Sequence, residues 1–297
     1  MCAGFWVVHM VEQRVGLLGA SSLVGARLIT RMLALGYQVH AFSRSALPPD
    51  GAQLHWHAPD ARGFAAIGQV DRWVCLAPIW VLPSYLNRLQ RCGARRVVAL
   101  SSTSRFAKAA SPEPAERATV AQLIDGEQQL TGWAARTGAQ AVVLRPTLVY
   151  GWGRDKNITH IARFIRRFGF FPVFGAATGL RQPVHVDDVA EVCLAALTAG
   201  QAVKHDYNVS GAEVLPYREM VARVFAAMGR RQRLLPVPLW MFRLALAALR
   251  WLPIYAHWSA SMATRMNEDL VFDHSAATVD LAFDPRAFVL SAQDVPA

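Results

Sequence analysis

The stretch GLLGASSLVG, residues 16–25, decides the fold. It reads as an apolar strand, a glycine-rich turn and the start of an apolar helix. In a dinucleotide-binding turn, one glycine allows the tight bend, another allows the helix to pack on the strand, and the helix amino terminus faces the phosphates. Gly19 and Gly25 fit these two roles, whereas Ser22 stands where a middle glycine is usual. Serine is small and can cap the helix or donate to a phosphate. We therefore predict a cofactor turn, with an ordinary strand–helix turn as the alternative.

Working outward from this turn, short apolar runs alternate with longer helical segments. This alternation predicts an α/β fold, a Rossmann-type doubly wound parallel sheet covered on both faces. The predicted strands are residues 14–19, 38–42, 54–57, 71–77, 96–101 and 141–145, and the predicted helices are 23–35, 85–90 and 116–137.

The pattern changes at Gly151, after which arginine-rich helices and Gly/Pro loops follow. We expect a dinucleotide-binding domain over residues 1–150 and a smaller C-terminal substrate lobe over 151–297. Part of 182–212 is expected to pack back on the first domain.

Composition narrows the classes of partner. Hydrophobic residues make up 53% of the chain, charged residues 18%, and the net charge is +10. Such a balance attracts anions, but no nucleic-acid-binding module is visible, so we expect no nucleic-acid partner. The four cysteines are scattered, which argues against a metal site and for a reducing cytoplasm. The first ten residues lack a basic region and a cleavage site, so no signal peptide is predicted.

The end of the second predicted strand bears on which nicotinamide cofactor binds. NAD-preferring sites usually place an acid there for the ribose hydroxyls, whereas this chain has Ser43 and Arg44. Because guanidinium pairs well with phosphate, these residues favour NADP, and NAD remains open. A surface arginine on a loop is the alternative interpretation of Arg44.

Four segments occur in a characteristic order: GASSLVG, VVALSST, LRPTLVYG and RQPVHVDDVA. Together they resemble the NAD(P)-dependent epimerase/dehydratase family, the extended short-chain dehydrogenase/reductases, over roughly residues 14–290. The resemblance implies a catalytic hydroxyl at Thr103 and a substrate-phosphate arginine at Arg181. It also implies cofactor contacts from Gly19, Ser21, Ser22, Leu23, Val24, Gly25, Ala77, Pro78 and Pro146, besides Ser43 and Arg44.

The chain departs from this family at its catalytic pair, Tyr-x-x-x-Lys. Counting back from Glu127, Thr119 takes the tyrosine position and Leu123 the lysine position, and no tyrosine in the chain is followed four residues later by lysine. Leucine cannot lower a tyrosine pKa or bind a ribose hydroxyl. We therefore expect an atypical oxidoreductase or epimerase-like enzyme acting on a nucleotide sugar or similar small molecule, with Thr103 or an ordered water as proton donor. The alternative is a non-catalytic NADP(H)-binding scaffold, assembly factor or redox sensor.

Three further features have competing interpretations. In PVHVDDVA, Asp187 or Asp188 is expected to cap a helix over 189–197 rather than to act as an acid or base. The arginines of residues 163–167, with Arg181, suit a phosphorylated substrate or form a solvated helix face. The apolar segment 237–258 is too interrupted to span a membrane. It is expected to be a core or dimer-facing helix, with peripheral contact to the inner membrane face as the alternative.

Overall fold

A parallel seven-stranded sheet forms the centre of the protein in a computed structural model that describes residues 13–45, 49–200, 204–238, 240 and 264–296. Its strands lie in the order β11-β6-β5-β4-β1-β2-β3, and every neighbouring pair is parallel. They are β1 (Arg14–Leu18), β2 (Gln38–Phe42), β3 (Leu54–His57), β4 (Arg72–Cys75), β5 (Arg96–Leu100), β6 (Gln140–Pro146) and β11 (Asp206–Val209). The predicted Rossmann-type fold class is confirmed.

Helices cover both faces of this sheet. They are α1 (Leu23–Ala34), α2 (Ala61–Ala66), α3 (Leu86–Arg91), α4 (Ser104–Ala107), α5 (Pro114–Thr137), α6 (Ile158–Phe168), α7 (Val186–Thr198), α8 (Tyr217–Ala227) and α9 (Ser275–Leu281), with a 3-10 helix at Ile79–Tyr85. Helices α1, α7 and α9 share one apolar cluster with the sheet. Helices α3 and α5 and the 3-10 helix share another on the opposite face. Burial on both faces explains why the central strands are continuous apolar runs.

Close packing at β1 depends on a glycine. A Cβ atom on Gly16 would lie 2.3 Å from the ring of Trp73, which is fully buried on the neighbouring strand β4. The indole therefore lies directly over the β1 backbone, and any side chain at this position would displace it.

The second half of the chain builds a smaller apolar cluster from α6, α8 and short strand pairs. These pairs are β7 (Val149–Tyr150) with β10 (Val184–His185), β8 (Phe171–Phe174) with β13 (Leu234–Val237), and β9 (Leu180–Arg181) with β12 (Leu215–Pro216). In the sequence, α7 and β11 lie between β10 and β12. Helix α7 packs against α1, and β11 extends the central sheet next to β6. The chain thus passes from the smaller apolar cluster to the central sheet and then returns to the smaller cluster.

The interpretation of residues 237–258 concerns a segment that lies almost wholly outside the described residues. Of its tryptophans, only Trp240 is described, and it is exposed. Within the described ranges, no helix combines the length and the apolar character needed to cross a membrane.

Candidate functional site

The glycine-rich turn after β1 has the geometry that its sequence predicts. Gly19 has φ +75°, and a Cβ atom there would lie 2.5 Å from the backbone nitrogen of Ala77. A Cβ atom on Gly25 would lie 2.2 Å from the carbonyl oxygen of Ala20. Ser22 Oγ accepts a hydrogen bond from the Gly25 N–H at 3.1 Å, so the predicted helix cap is confirmed. Both glycines are therefore required by close backbone approach, one to β4 and one within the turn.

The amino terminus of α1 fits a phosphate group. The first turn of this helix contains no acidic residue. Across the described residues, the backbone N–H groups of Leu23 and Val24 have no carbonyl acceptor. Free N–H groups at the positive end of a helix dipole are the usual protein ligands for a pyrophosphate. The turn thus fits a dinucleotide, with Ser22 at the position of the middle glycine acting as the helix cap.

The end of β2 joins this turn through a serine pair. Ser43 is buried, and its hydroxyl donates to Ser21 Oγ at 3.1 Å and accepts from the Ser45 N–H at 3.1 Å. Arg44 is exposed, and within the described part of the chain its guanidinium has no hydrogen-bond or ion-pair partner. The expected ribose-side residues therefore lie beside the phosphate turn, with one unpaired cation next to them.

Thr103 and Pro146 are in direct contact. Both the backbone N–H and the hydroxyl of Thr103 donate to the Pro146 carbonyl oxygen, each at 3.2 Å. Thr103 is buried and contributes to the wall of a cavity of about 470 Å³. Hydroxyl, amide and cationic side chains line this cavity, including Ser102, Ser104, Lys108, Thr147, Arg181, Gln182, Tyr217 and Arg265. Such a lining suits a polar, anionic ligand.

Arg181 lies in the wall of the same cavity, where backbone carbonyl oxygens accept most of the hydrogen bonds that its guanidinium can donate. Its guanidinium donates to the carbonyl oxygens of Leu180 at 2.7 Å, Glu268 at 2.8 Å and Arg265. Burial lowers the pKa of Arg181. Because a guanidinium has five N–H groups, two remain for a ligand. Arg181 therefore ties the segment around residues 265–268 to β9 and keeps limited capacity for a substrate phosphate.

Tyr217 was not identified from the sequence, because no motif marks it. Its ring lies beneath the Arg181 guanidinium, whose carbon is 5.3 Å from the ring centroid. Burial raises the pKa of Tyr217 to about 12. The phenol is therefore protonated at neutral pH, and it can donate a hydrogen bond into the cavity but cannot act there as a base.

Helix α5 carries Thr119 and Leu123, the two residues that counting back from Glu127 assigns to the family pair. The Thr119 hydroxyl donates to the Ala115 carbonyl oxygen at 3.0 Å, and Leu123 is buried in the apolar cluster beneath the sheet. One helical turn after Leu123, Glu127 is buried and accepts hydrogen bonds from Ser101 at 2.5 Å and Arg145 at 2.6 Å. Glu127 thus holds the end of β5 and has a structural role in this chain.

The expected aspartate cap on α7 is wrong. The helix begins at Val186, and His185 caps it, its Nδ1 accepting from the Asp187 N–H at 3.2 Å. Asp187 instead pairs with Arg27 at 2.5 Å, and Asp188 pairs with Arg286 at 2.7 Å. Arginines from distant parts of the chain thus bind both carboxylates, and the helix cap is His185.

Comparison with known proteins bears directly on this arrangement. Residues 84–210, which include Thr103, Pro146 and Arg181, match the sequence model of the NAD dependent epimerase/dehydratase family. The matched stretch is less than half of the chain, and over it the chain resembles this family. The glycine-rich turn lies outside the matched range, and its assignment rests on the geometry above.

Solved structures and curated relatives extend this result. UDP-glucuronic acid 4-epimerase from Bacillus cereus, in complex with NAD, has a similar fold, with a TM-score of 0.71, 14% identity and 95% of each chain covered. UDP-glucose 4-epimerase of Vibrio cholerae is 27% identical over 121 residues, which are 40% of this chain and 37% of that protein. NADH dehydrogenase [ubiquinone] 1 alpha subcomplex subunit 9 of Arabidopsis thaliana is 29% identical over 100 residues, 33% of this chain and 25% of that protein. The chain therefore matches well under half the length of these two relatives.

Proposed function

We propose that this protein is an atypical NADP-dependent oxidoreductase or epimerase-like enzyme that acts on a nucleotide sugar or a similar phosphorylated small molecule. One observation carries the proposal: the phosphate turn, the Ser43–Arg44 segment and Thr103 all follow the carboxyl ends of parallel strands, at one edge of the sheet. In open α/β sheets, ligands bind at this edge.

The chain offers groups for several parts of the cofactor. The N–H groups of Leu23 and Val24 would bind its pyrophosphate. Ser43 and the unpaired Arg44 would bind a 2′-phosphate, which favours NADP. NAD remains the alternative, since the family is named for it. Ala77, Pro78 and Pro146 would flank the rest of the cofactor, which supplies or accepts a hydride when bound.

Substrate orientation would come from the polar cavity. Lys108, Arg181 and Arg265 contribute positive charge to its wall, and they would hold an anionic substrate with its reacting oxygen toward Thr103. The Thr103 hydroxyl would polarise that oxygen after turning from the Pro146 carbonyl. Proton donation would come from Thr103, from an ordered water or from Tyr217, which is protonated at neutral pH.

A non-catalytic role is the second candidate, and a specific observation favours it. No tyrosine in the chain is followed four residues later by lysine, and counting back from Glu127 assigns Thr119 and Leu123 to the family's catalytic positions. The similarity to a mitochondrial NADH dehydrogenase subunit also supports it. In that case the cofactor would be a structural or redox-sensing element.

A substrate screen with a matched pair of variants separates the two candidates. We would follow NADPH and NADH absorbance in the presence of nucleotide sugars and their keto derivatives. Thr103→Val should lower kcat at least about tenfold without changing NADPH affinity, as expected for a group that acts in the transition state. Thr119→Val, on α5, should change neither quantity. NADPH binding without turnover of any compound would favour the non-catalytic role.

A further inference from the structure

A second cavity of about 480 Å³ opens beside the one that contains Thr103. The two cavities share Leu148, Asn157, Tyr217 and Met266 in their walls, so they are contiguous. A ligand with its reacting end at Thr103 can therefore extend into the second cavity. This inference rests on the proposed function only where it identifies that ligand as the substrate.

The floor of the second cavity is apolar. Ile161, Phe171, Met220 and Met266 line it, and each is less than one-tenth exposed. The half-buried Phe164 ring adds to the wall and contacts Phe171, with the ring centroids 5.5 Å apart. These side chains offer no hydrogen-bond donors or acceptors to the edge of a nucleobase, whereas they suit an alkyl or aryl group.

The rim of the same cavity is cationic. Lys156, two residues before α6, is exposed, as are Arg163 and Arg167, which lie one turn apart on α6. Within the described ranges, none of the three forms an ion pair with a carboxylate.

The nearest acidic residue does not neutralise this rim. Asp155 is the only acidic residue between positions 151 and 168. Its side chain is turned inward, where it accepts from the Ile158 N–H at 2.6 Å and from the Thr159 hydroxyl at 3.1 Å. The positive charge at the cavity mouth is therefore available to an anionic ligand.

An apolar floor beneath unpaired cations is complementary to an anionic amphiphile. We propose that the second cavity binds the apolar part of such a molecule, an alkyl or aryl phosphate or carboxylate, and that the substrate carries this apolar group. The substrate class is thereby narrower than that of a phosphorylated sugar alone, because a purely polar ligand would leave the phenylalanine and methionine side chains in contact with water.

A homologous series of ligands tests the proposal. We would titrate the full chain by calorimetry with inorganic phosphate and with butyl, hexyl and octyl phosphate, each below its aggregation concentration. Burying one methylene strengthens binding by roughly fourfold, so each added pair should strengthen it about fifteenfold until the cavity is full. Equal affinity for inorganic and octyl phosphate would overturn the proposal.

Two variants separate the rim from the floor. Arg163→Gln combined with Arg167→Gln should weaken binding of every chain length by a similar factor, whereas Phe164→Ala should reduce the dependence on chain length. Arg62→Gln combined with Arg136→Gln, two exposed arginines on α2 and α5, is the charge-matched control and should change neither. Thermal denaturation would establish that all variants fold. Unchanged chain-length dependence in folded Phe164→Ala would also overturn the proposal.

A lipid surface is the competing source of the same chemistry. Tight binding to phosphatidylglycerol vesicles without chain-length dependence among the soluble phosphates would mean surface contact and would overturn the cavity assignment. The cofactor titration is independent of these experiments. NADPH binding without chain-length dependence would support the proposed function and overturn this inference. Chain-length dependence without NADPH binding would support the ligand class of the second cavity and overturn the proposed function.

Discussion

The contact between the buried His40 of β2 and the half-buried His57 of β3 predicts that the protein loses stability in mild acid. Arg14 Nη2 lies 3.0 Å from His40 Nε2, and His40 Nδ1 lies 3.1 Å from His57 Nε2. Because a guanidinium can only donate, His40 Nε2 must accept, so Nδ1 carries the proton and donates to His57. Protonating His40 would place a second donor against Arg14. Burial, reinforced by the Arg14 charge, lowers the pKa of His40 to about 4.

The sign and size of the effect follow from linkage between protonation and folding. The ordinary histidine pKa is 6.5, so between that value and about 4 the unfolded chain binds more protons at His40 than the folded chain. Stability contributed by neutral His40 is complete above pH 6.5 and is lost progressively as the pH falls toward 4. Between pH 7 and pH 5 the expected loss is about 2 kcal/mol in the free energy of unfolding.

Urea unfolding across this pH range measures the loss. His40→Gln has no titrating group at this position. Between pH 7 and pH 5, the free energy of unfolding of the wild type should fall by about 2 kcal/mol more than that of His40→Gln. His205→Gln is the control, because His205 is exposed and should follow the wild type. If wild type and His40→Gln lose stability in parallel, the assigned tautomer and the depressed pKa are both wrong.

Three further predictions concern stability, the phosphate turn and the polar cavity. Glu127→Gln should lower the free energy of unfolding by about 3 kcal/mol in urea, because it removes the buried carboxylate that pairs with the buried Arg145 and leaves this guanidinium only Asp206 as an acidic partner. A smaller loss than about 1 kcal/mol would contradict that account. Gly25→Ala should weaken NADPH binding at least about tenfold, because the new Cβ atom would collide with the turn. Gly51→Ala, where a Cβ atom meets open space, should bind as the wild type does. Glu116→Gln should strengthen binding of inorganic pyrophosphate about threefold to tenfold, because it removes a carboxylate that lies 2.6 Å from Arg265 and 3.1 Å from Lys108 in the cavity wall. Unchanged pyrophosphate affinity would mean that Arg265 does not face the ligand.

Local patterns were enough to predict the central sheet. Each predicted strand from β1 to β6 is present, with ends within two residues of those predicted, because buried parallel strands are continuous apolar runs. The cap at Ser22 was also predictable, since a cap is a contact between residues three apart in sequence. Both features depend on short-range chemistry that a single segment contains.

Features that depend on distant residues were not predictable in this way. The α7 cap was misassigned because the Asp187 carboxylate is bound by Arg27, 160 positions away. Tyr217 and the second cavity were missed for the same reason. The cavity is assembled from α6, β8, α8 and Met266, and no one segment carries its pattern. The two-residue strands β7, β9, β10 and β12 are too short to show any periodicity.

Titration of the purified chain with NADPH and with NADH tests the central claim most directly. After a check for co-purified nucleotide, calorimetry would compare the wild type with Arg44→Glu. The account predicts that the wild type binds NADPH more tightly than NADH. It also predicts that Arg44→Glu weakens NADPH binding far more than NADH binding, because the new carboxylate opposes a 2′-phosphate. Binding of neither nucleotide would contradict the assignment of the turn at Gly19, and equal losses for both would contradict the role of Arg44.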